Sequence, residues 1–223
     1  MKQNRVDAIL NSMKEQGLTQ MMICDSTAIF YLTGKWIVPG ERMLALYLNT
    51  NGNHHLVINK LFPQEEDLGV EITYFDDIED GVEIFSQFVD KDAVMGIDKN
   101  WPARFLLRLQ ELGGGSGFVN ASPIVDYVRQ IKDEEEKELM RKASLVNDEI
   151  MDRLIPYANK GLTEKELNQV VKDLYKETGH SGVSFDPITA YGHGAADPHH
   201  ITDDSKGKRG DCVILDIGGM LNN

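Results

Sequence analysis

The sequence predicts a two-domain protein of the α/β (α+β) class, on three observations. Short apolar, strand-like runs alternate with helical periodicity through residue 128. Beyond it the texture changes to a long, charge-dense amphipathic segment. A length of 223 residues, 41% hydrophobic and 26% charged, suits one large or two small folded domains and is unlike a disordered or fibrous chain. The expected domains are residues 1–128, built on a mixed sheet, and residues 129–223.

Each element follows from local chemistry. Val6, Ile9, Leu10 and Met13 recur at helical spacing, with Gly17 as the stop. Gln20 to Cys24 reads as a short buried strand, and Ser26 as the cap of a helix through Leu32 that Gly34 ends. Arg42 to Leu48 and His54 to Ile58 read as strands joined by the polar turn Asn49-Thr50-Asn51-Gly52-Asn53. Val70 to Phe75 is a further strand. Val82, Ile84, Phe85, Phe88 and Val89 make an amphipathic helix, and Ala93 to Ile97 a strand. Pro102 opens a helix carrying Phe105, Leu106, Leu109 and Leu112. The run Gly113-Gly114-Gly115-Ser116-Gly117 follows that helix and leads into the strand-like Phe118 to Asn120. Phosphate-cradling glycines precede a helix, so this run is read as a helix stop and not as a nucleotide site.

From Arg129 through Leu139, Ala143, Val146, Ile150 and Leu154 a single long amphipathic helix is expected, its charges forming a solvated face. Thr163-x-x-Glu166 is a capping box that opens a second helix, with Leu167, Val170, Val171 and Leu174 inward and Gly179 as its stop. The balance of 23 basic against 36 acidic residues gives a net charge of −13, and both predicted domains are acidic. Nucleic acid and anionic membrane are therefore excluded as expected partners. The first residues lack the apolar core of a signal peptide, and no run approaches the roughly 18–20 apolar residues of a membrane span. Cys24 and Cys212 both lie in apolar runs and read as reduced, buried thiols, so the protein is expected in the cytoplasm.

Chemistry concentrates after Ser184. His193, His199 and His200 account for three of the six histidines, and Asp216 lies inside the apolar run Cys212-Val213-Ile214-Leu215-Asp216-Ile217-Gly218. A carboxylate buried there needs a cation or several hydrogen bonds. On the residues alone, Asp216 is either a ligand or a core aspartate bonded to backbone N–H groups at the glycine turn. The histidines are either functional or simply solvated.

The whole chain resembles a known family, strongly from Val128 onward and more loosely before it. Val128-Arg129-Gln130-Ile131-Lys132-Asp133 and Met140-Arg141-Lys142-Ala143 are followed by Phe185-Asp186-Pro187-Ile188, Ala196-Asp197-Pro198-His199, and Gly210-Asp211 leading into Ile214-Leu215-Asp216-Ile217-Gly218. These are similar to the proline-specific metallopeptidases of the creatinase, or pita-bread, fold: Xaa-Pro dipeptidases and aminopeptidase P. Seventeen residues separate His199 from Asp216, as in that family's spacing from active-site histidine to first metal-binding aspartate.

The resemblance implies a creatinase-type amino-terminal domain over 1–128 and the first half of a pita-bread catalytic domain over 129–223. It implies that Asp216 is the first ligand of a site for two divalent ions (Mn²⁺, Co²⁺ or Zn²⁺) and that His199 steadies the substrate and the tetrahedral intermediate. Phe185 and Ile188 match positions lining a substrate side-chain pocket, His200 accompanies His199 in substrate binding, and His193 shapes the cleft. Asp197 carries no assigned role.

The family's remaining ligands lie farther on than Asn223, so the chain is expected to be an inactive part of a longer enzyme that holds no metal stably. The implied activity is hydrolysis of Xaa-Pro peptides by a dipeptidase that forms a homodimer. Aminopeptidase P, a metal-free creatinase-type amidinohydrolase and a non-catalytic binding module are the alternatives.

Overall fold

The computed structural model describes residues 1–221. It comprises two compact units, Met1–Ile131 and Lys132–Asn223. In the first, α1 (Gln3–Glu15) buries Val6, Ile9, Leu10 and Met13, the face its periodicity marks. Strand β1 (Gln20–Ile23) is buried throughout, and α2 (Ser26–Thr33) follows. The cap of α2 is Asp25 and not Ser26. Asp25 has the extended backbone a cap requires and accepts the Ala28 N–H at 2.8 Å, which leaves Ser26 inside the first turn.

Strands β2 (Leu44–Asn49) and β3 (His55–Asn59) pair antiparallel, with Tyr47 opposite His55 next to the polar turn. Strand β4 (Glu71–Phe75) runs parallel to β3. After α3 (Gly81–Ser86), β5 (Val94–Ile97) returns parallel to β1, and α4 (Ala103–Glu111) leads to β6 (Gly117–Asn120), parallel to β5. The sheet order is β4-β3-β2-β1-β5-β6.

Burial along β2 explains why its sequence is apolar without alternation. Leu44, Leu46 and Leu48 enter one core with α1 and α2, while Ala45 and Tyr47 enter the other with Phe85 and Trp101. Side chains alternate across a strand, so a strand covered on both faces must be apolar at every position. Asp98, just beyond β5, is buried and fully used: Oδ2 accepts the N–H groups of Cys24 and Asp25 at 3.0 Å each, and Oδ1 accepts the Ser122 hydroxyl at 3.2 Å. Burial, reinforced by Asp98 and Asp25, pushes the Cys24 thiol up and keeps it protonated.

Two expectations are corrected at the end of this unit and the start of the next. The helix expected from Arg129 begins only at Glu134, as α6 (Glu134–Leu154), and a separate helix not expected from the sequence, α5 (Ser122–Gln130), precedes it. Pro123 starts α5, and Asp133 and Glu136 form a capping box that starts α6, which forces a break between them. The expected apolar face of α6 is also shorter: Ile150 and Leu154 are buried and Val146 packs beside them, while Leu139 is exposed.

The second unit continues through the 3₁₀ turn Ile155–Asn159 to α7 (Glu164–Glu177), opened by the Thr163–Glu166 capping box. Short strands follow: β7 (Gly182–Val183), β8 (Ile188–Tyr191), β9 (Val213–Asp216) and β10 (Gly219–Met220). β8 pairs antiparallel with β9, and β7 with β10. The core of this unit joins Ile150 and Leu154 to Leu167, Val171, Leu174, Tyr175 and Tyr191.

The burial expected at β9 does not hold. Cys212 is exposed, as are Val213, Ile214 and Asp216, and the other cysteine, Cys24, is half-buried. Both thiols are free. Among the described residues β9 is paired with β8 alone, so an apolar sequence here has one partner strand and an open outer face. Among the described residues no helix is long and apolar enough to cross a membrane.

Candidate active site

The functional candidates lie around the start of α7, the β8–β9 ribbon and the loop between those strands. Glu164 is the first residue of α7 and is 1% exposed. A buried carboxylate is costly unless its oxygens are used, and here they are. Oε1 accepts the Tyr191 N–H at 2.9 Å; Oε2 accepts the Asp203 N–H at 3.0 Å and lies 2.6 Å from His200 Nε2. Its main chain is engaged as well: the Glu164 N–H donates to Ser205 O at 3.0 Å, and its carbonyl accepts the Thr189 hydroxyl at 2.8 Å. One residue thereby ties α7 to β8 and to the loop after it.

The hydrogen bond to Glu164 raises the pKa of His200, with Asp203 and Asp197 adding to the shift. The hydroxyl and N–H of Ser205 lower that of Asp203. The His200 ring also lies close to Gly194, where a Cβ would stand 2.9–3.2 Å from three ring atoms. These groups border a cleft of about 550 Å³ that Tyr191, His193, Lys208 and Asp211 also line.

The raised His200 pKa has a signed consequence. An unfolded histidine titrates near ~6.5, so the His200–Glu164 pair stabilises the fold in full below that pH. Its contribution is lost as pH rises through the higher folded value. Urea unfolding at about pH 5.5 and about pH 8.5 should show the wild type losing more stability across this interval than His200→Gln does. Equal losses would mean that the pair carries no charge-dependent stability.

The residues predicted from the sequence fall into two groups. Ile188 and Asp216 are direct cross-strand partners at the end of the β8–β9 ribbon. Phe185, 43% exposed, lies beside them: its ring packs on Gly218, where a Cβ would stand 2.8 Å from Cε1, and the Ser184 N–H donates to Gly218 O at 2.9 Å. His199 and His200 belong to the loop. His199 is exposed at a tight turn, its N–H donating to Asp197 Oδ1 at 2.9 Å, so Asp197 shapes this turn. His200 is turned onto Glu164.

Glu164, Asp203 and Tyr191 were not singled out from the sequence. An acid in the first turn of a helix is ordinary at a position favoured by the helix dipole, and nothing local marks this one as buried.

Two divalent ions roughly 3.5–4 Å apart require several converging carboxylates. Asp216 supplies one donor and belongs to no group of three potential ligands among the described residues. Glu164, His200 and Asp203 do form such a group, but its buried oxygens already accept hydrogen bonds from the protein. The described residues by themselves do not fit a two-metal centre.

The family model for the Creatinase/Prolidase N-terminal domain matches residues 5–131, and that for Metallopeptidase family M24 matches residues 138–223. A dipeptidase structure from Pyrococcus horikoshii is 27% identical with a TM-score of 0.85, covering 97% of this chain and 61% of that one. A recombinant prolidase structure from Thermococcus sibiricus is 26% identical with a TM-score of 0.88, covering 99% and 62%. An uncharacterized peptidase of Staphylococcus aureus is 24% identical over 220 residues, 96% of this chain and 61% of its own length. The chain thus spans about three fifths of the length of the relatives it matches.

Proposed function

Because the chain belongs to the creatinase/prolidase family and carries pita-bread architecture, we propose that the whole protein is a metal-dependent Xaa-Pro dipeptidase. The observation that carries this reading is the β8–β9 ribbon, where Asp216 faces Ile188 across the strands and Phe185 stands beside them. That arrangement puts an anionic donor next to an apolar surface suited to a substrate side chain. The higher identity and TM-score with dipeptidase and prolidase structures support choosing a dipeptidase over an aminopeptidase.

In this reading Asp216 would be one ligand of divalent ions held together with residues outside this chain, and such ions would supply an activated water. His199 donates an imidazole N–H to the peptide carbonyl oxygen as negative charge develops there, an interaction stronger in the transition state than in the ground state. Phe185 and Ile188 hold the side chain of the residue before proline. The described residues alone do not gather enough ligands for the ions. A preparation of residues 1–223 should therefore show no Xaa-Pro hydrolysis with added Mn²⁺ or Co²⁺, whereas the whole protein should show it. Metal-dependent turnover by the purified 223-residue chain would overturn the assignment of ligands.

We further propose a homodimer, in which the first unit restricts access to the partner's cleft. Trp36 supports it: the side chain is 50% exposed, and its ring meets Phe30 edge-on at 5.6 Å. An exposed tryptophan on an apolar turn is an economical contact for a second copy. Sedimentation of the whole protein at micromolar concentration should give a dimer that Trp36→Ala weakens. A monomeric wild-type boundary would remove the gating role.

A further inference from the structure

We propose that Glu164 is a positioning residue: by binding His200 and the Asp203 N–H it clamps the 197–203 turn and so fixes the backbone that carries His199. The inference rests on the role proposed above for His199. The geometry is that of a turn held on both sides. Before His199, the Asp197 side chain accepts the His199 N–H at 2.9 Å and the Asp197 carbonyl accepts the His200 N–H at 3.2 Å. After it, the His200 ring and the Asp203 N–H both converge on a single oxygen, Glu164 Oε2, at 2.6 and 3.0 Å. His199 itself is exposed at the tip between these two anchors.

Three further features belong to the same clamp. Gly194 leaves room for the His200 ring, which is thereby confined between a glycine backbone and a buried carboxylate. The N–H groups of Glu164 and Lys165 donate to Ser205 O and Asp203 O at 3.0 and 3.1 Å, extending the clamp along the loop. Glu164 is in turn held by β8 through Tyr191 and Thr189, so the turn is referred to a buried strand. A loop residue that must meet a transition state to within a fraction of an ångström needs such support from rigid elements. His200 therefore acts through Glu164 on the place of its neighbour.

The test has two readouts. Hydrogen exchange on the 223-residue chain reports the clamp without reference to any activity. His200→Ala should speed exchange across residues 199–206 by about tenfold or more while α6 keeps its rates. His200→Gln, whose amide Nε2 can still donate to Glu164, should restore most of the protection. Glu164→Ala should match His200→Ala; should it fail to fold, the two His200 variants decide alone.

In the whole protein, His200→Ala should lower kcat on an Xaa-Pro dipeptide by about tenfold and His200→Gln should recover most of it, whereas a loss confined to KM would return His200 to direct substrate binding and overturn the clamp's catalytic purpose. Unchanged exchange in His200→Ala, or a Gln variant as loose as the Ala variant, would overturn the clamp. Loosened exchange with an unaltered kcat would overturn its catalytic purpose. If the wild-type whole protein cleaves no Xaa-Pro peptide, the dipeptidase reading fails, and the exchange result still decides the clamp.

Discussion

Asp216→Asn in the whole protein is expected to abolish Xaa-Pro hydrolysis and to lower its bound divalent metal together. The amide keeps the size of the carboxylate and the cross-strand place opposite Ile188, so β9 should persist. What it loses is the negative charge that a cation needs. Loss of a residue that merely supports a metal ligand costs roughly 10–100-fold in affinity or activity, and loss of a ligand should exceed that range. In the 223-residue chain, where Asp216 is exposed, the same substitution removes no buried ion pair, and the thermal midpoint should change little. Metal analysis alongside initial rates checks both points. Normal metal content with normal turnover would remove Asp216 from the site.

His199→Ala is expected to separate binding from chemistry. The residue is exposed, and its structural contribution runs through its backbone N–H to Asp197, which alanine retains. Fold and metal content should therefore be preserved. Turnover should fall by roughly 10²–10³-fold, the scale for losing one preorganised donor to a developing oxyanion. A rise in KM with unchanged kcat would instead assign His199 to uniform substrate binding.

These expectations rest on features that were unequally visible in the sequence. The strands and helices of the first unit up to β6 were legible where breakers bound them and a period marks them, as at Val6-Ile9-Leu10-Met13 or in the apolar run through β2, whereas α5 was not. The break between α5 and α6 was hidden inside a run of charge, where Asp133 and Glu136 read as two more charges when they form a cap. Cap chemistry competes with composition there, and the cap wins because it satisfies two backbone donors.

His199, His200 and Asp216 are candidates marked by motif text, and the ribbon pairs two of the marked residues, Ile188 and Asp216. The exposure of Asp216 was not legible, since an apolar run reports what a strand is suited to lie against and not what covers it. Glu164 stayed invisible for a related reason. Its burial is created by β8 and by a loop 39 residues downstream, and no local pattern encodes contacts at that range.

The most direct test of the dipeptidase reading is substrate discrimination by the whole protein, stripped of metal and then resupplied with Mn²⁺ or Co²⁺. Release of free proline from Ala-Pro should appear only with metal, and Ala-Ala should be cleaved far more slowly. Hydrolysis of Ala-Ala at a comparable rate, cleavage of Ala-Pro without metal, or a metal-loaded protein inert toward both peptides would contradict it.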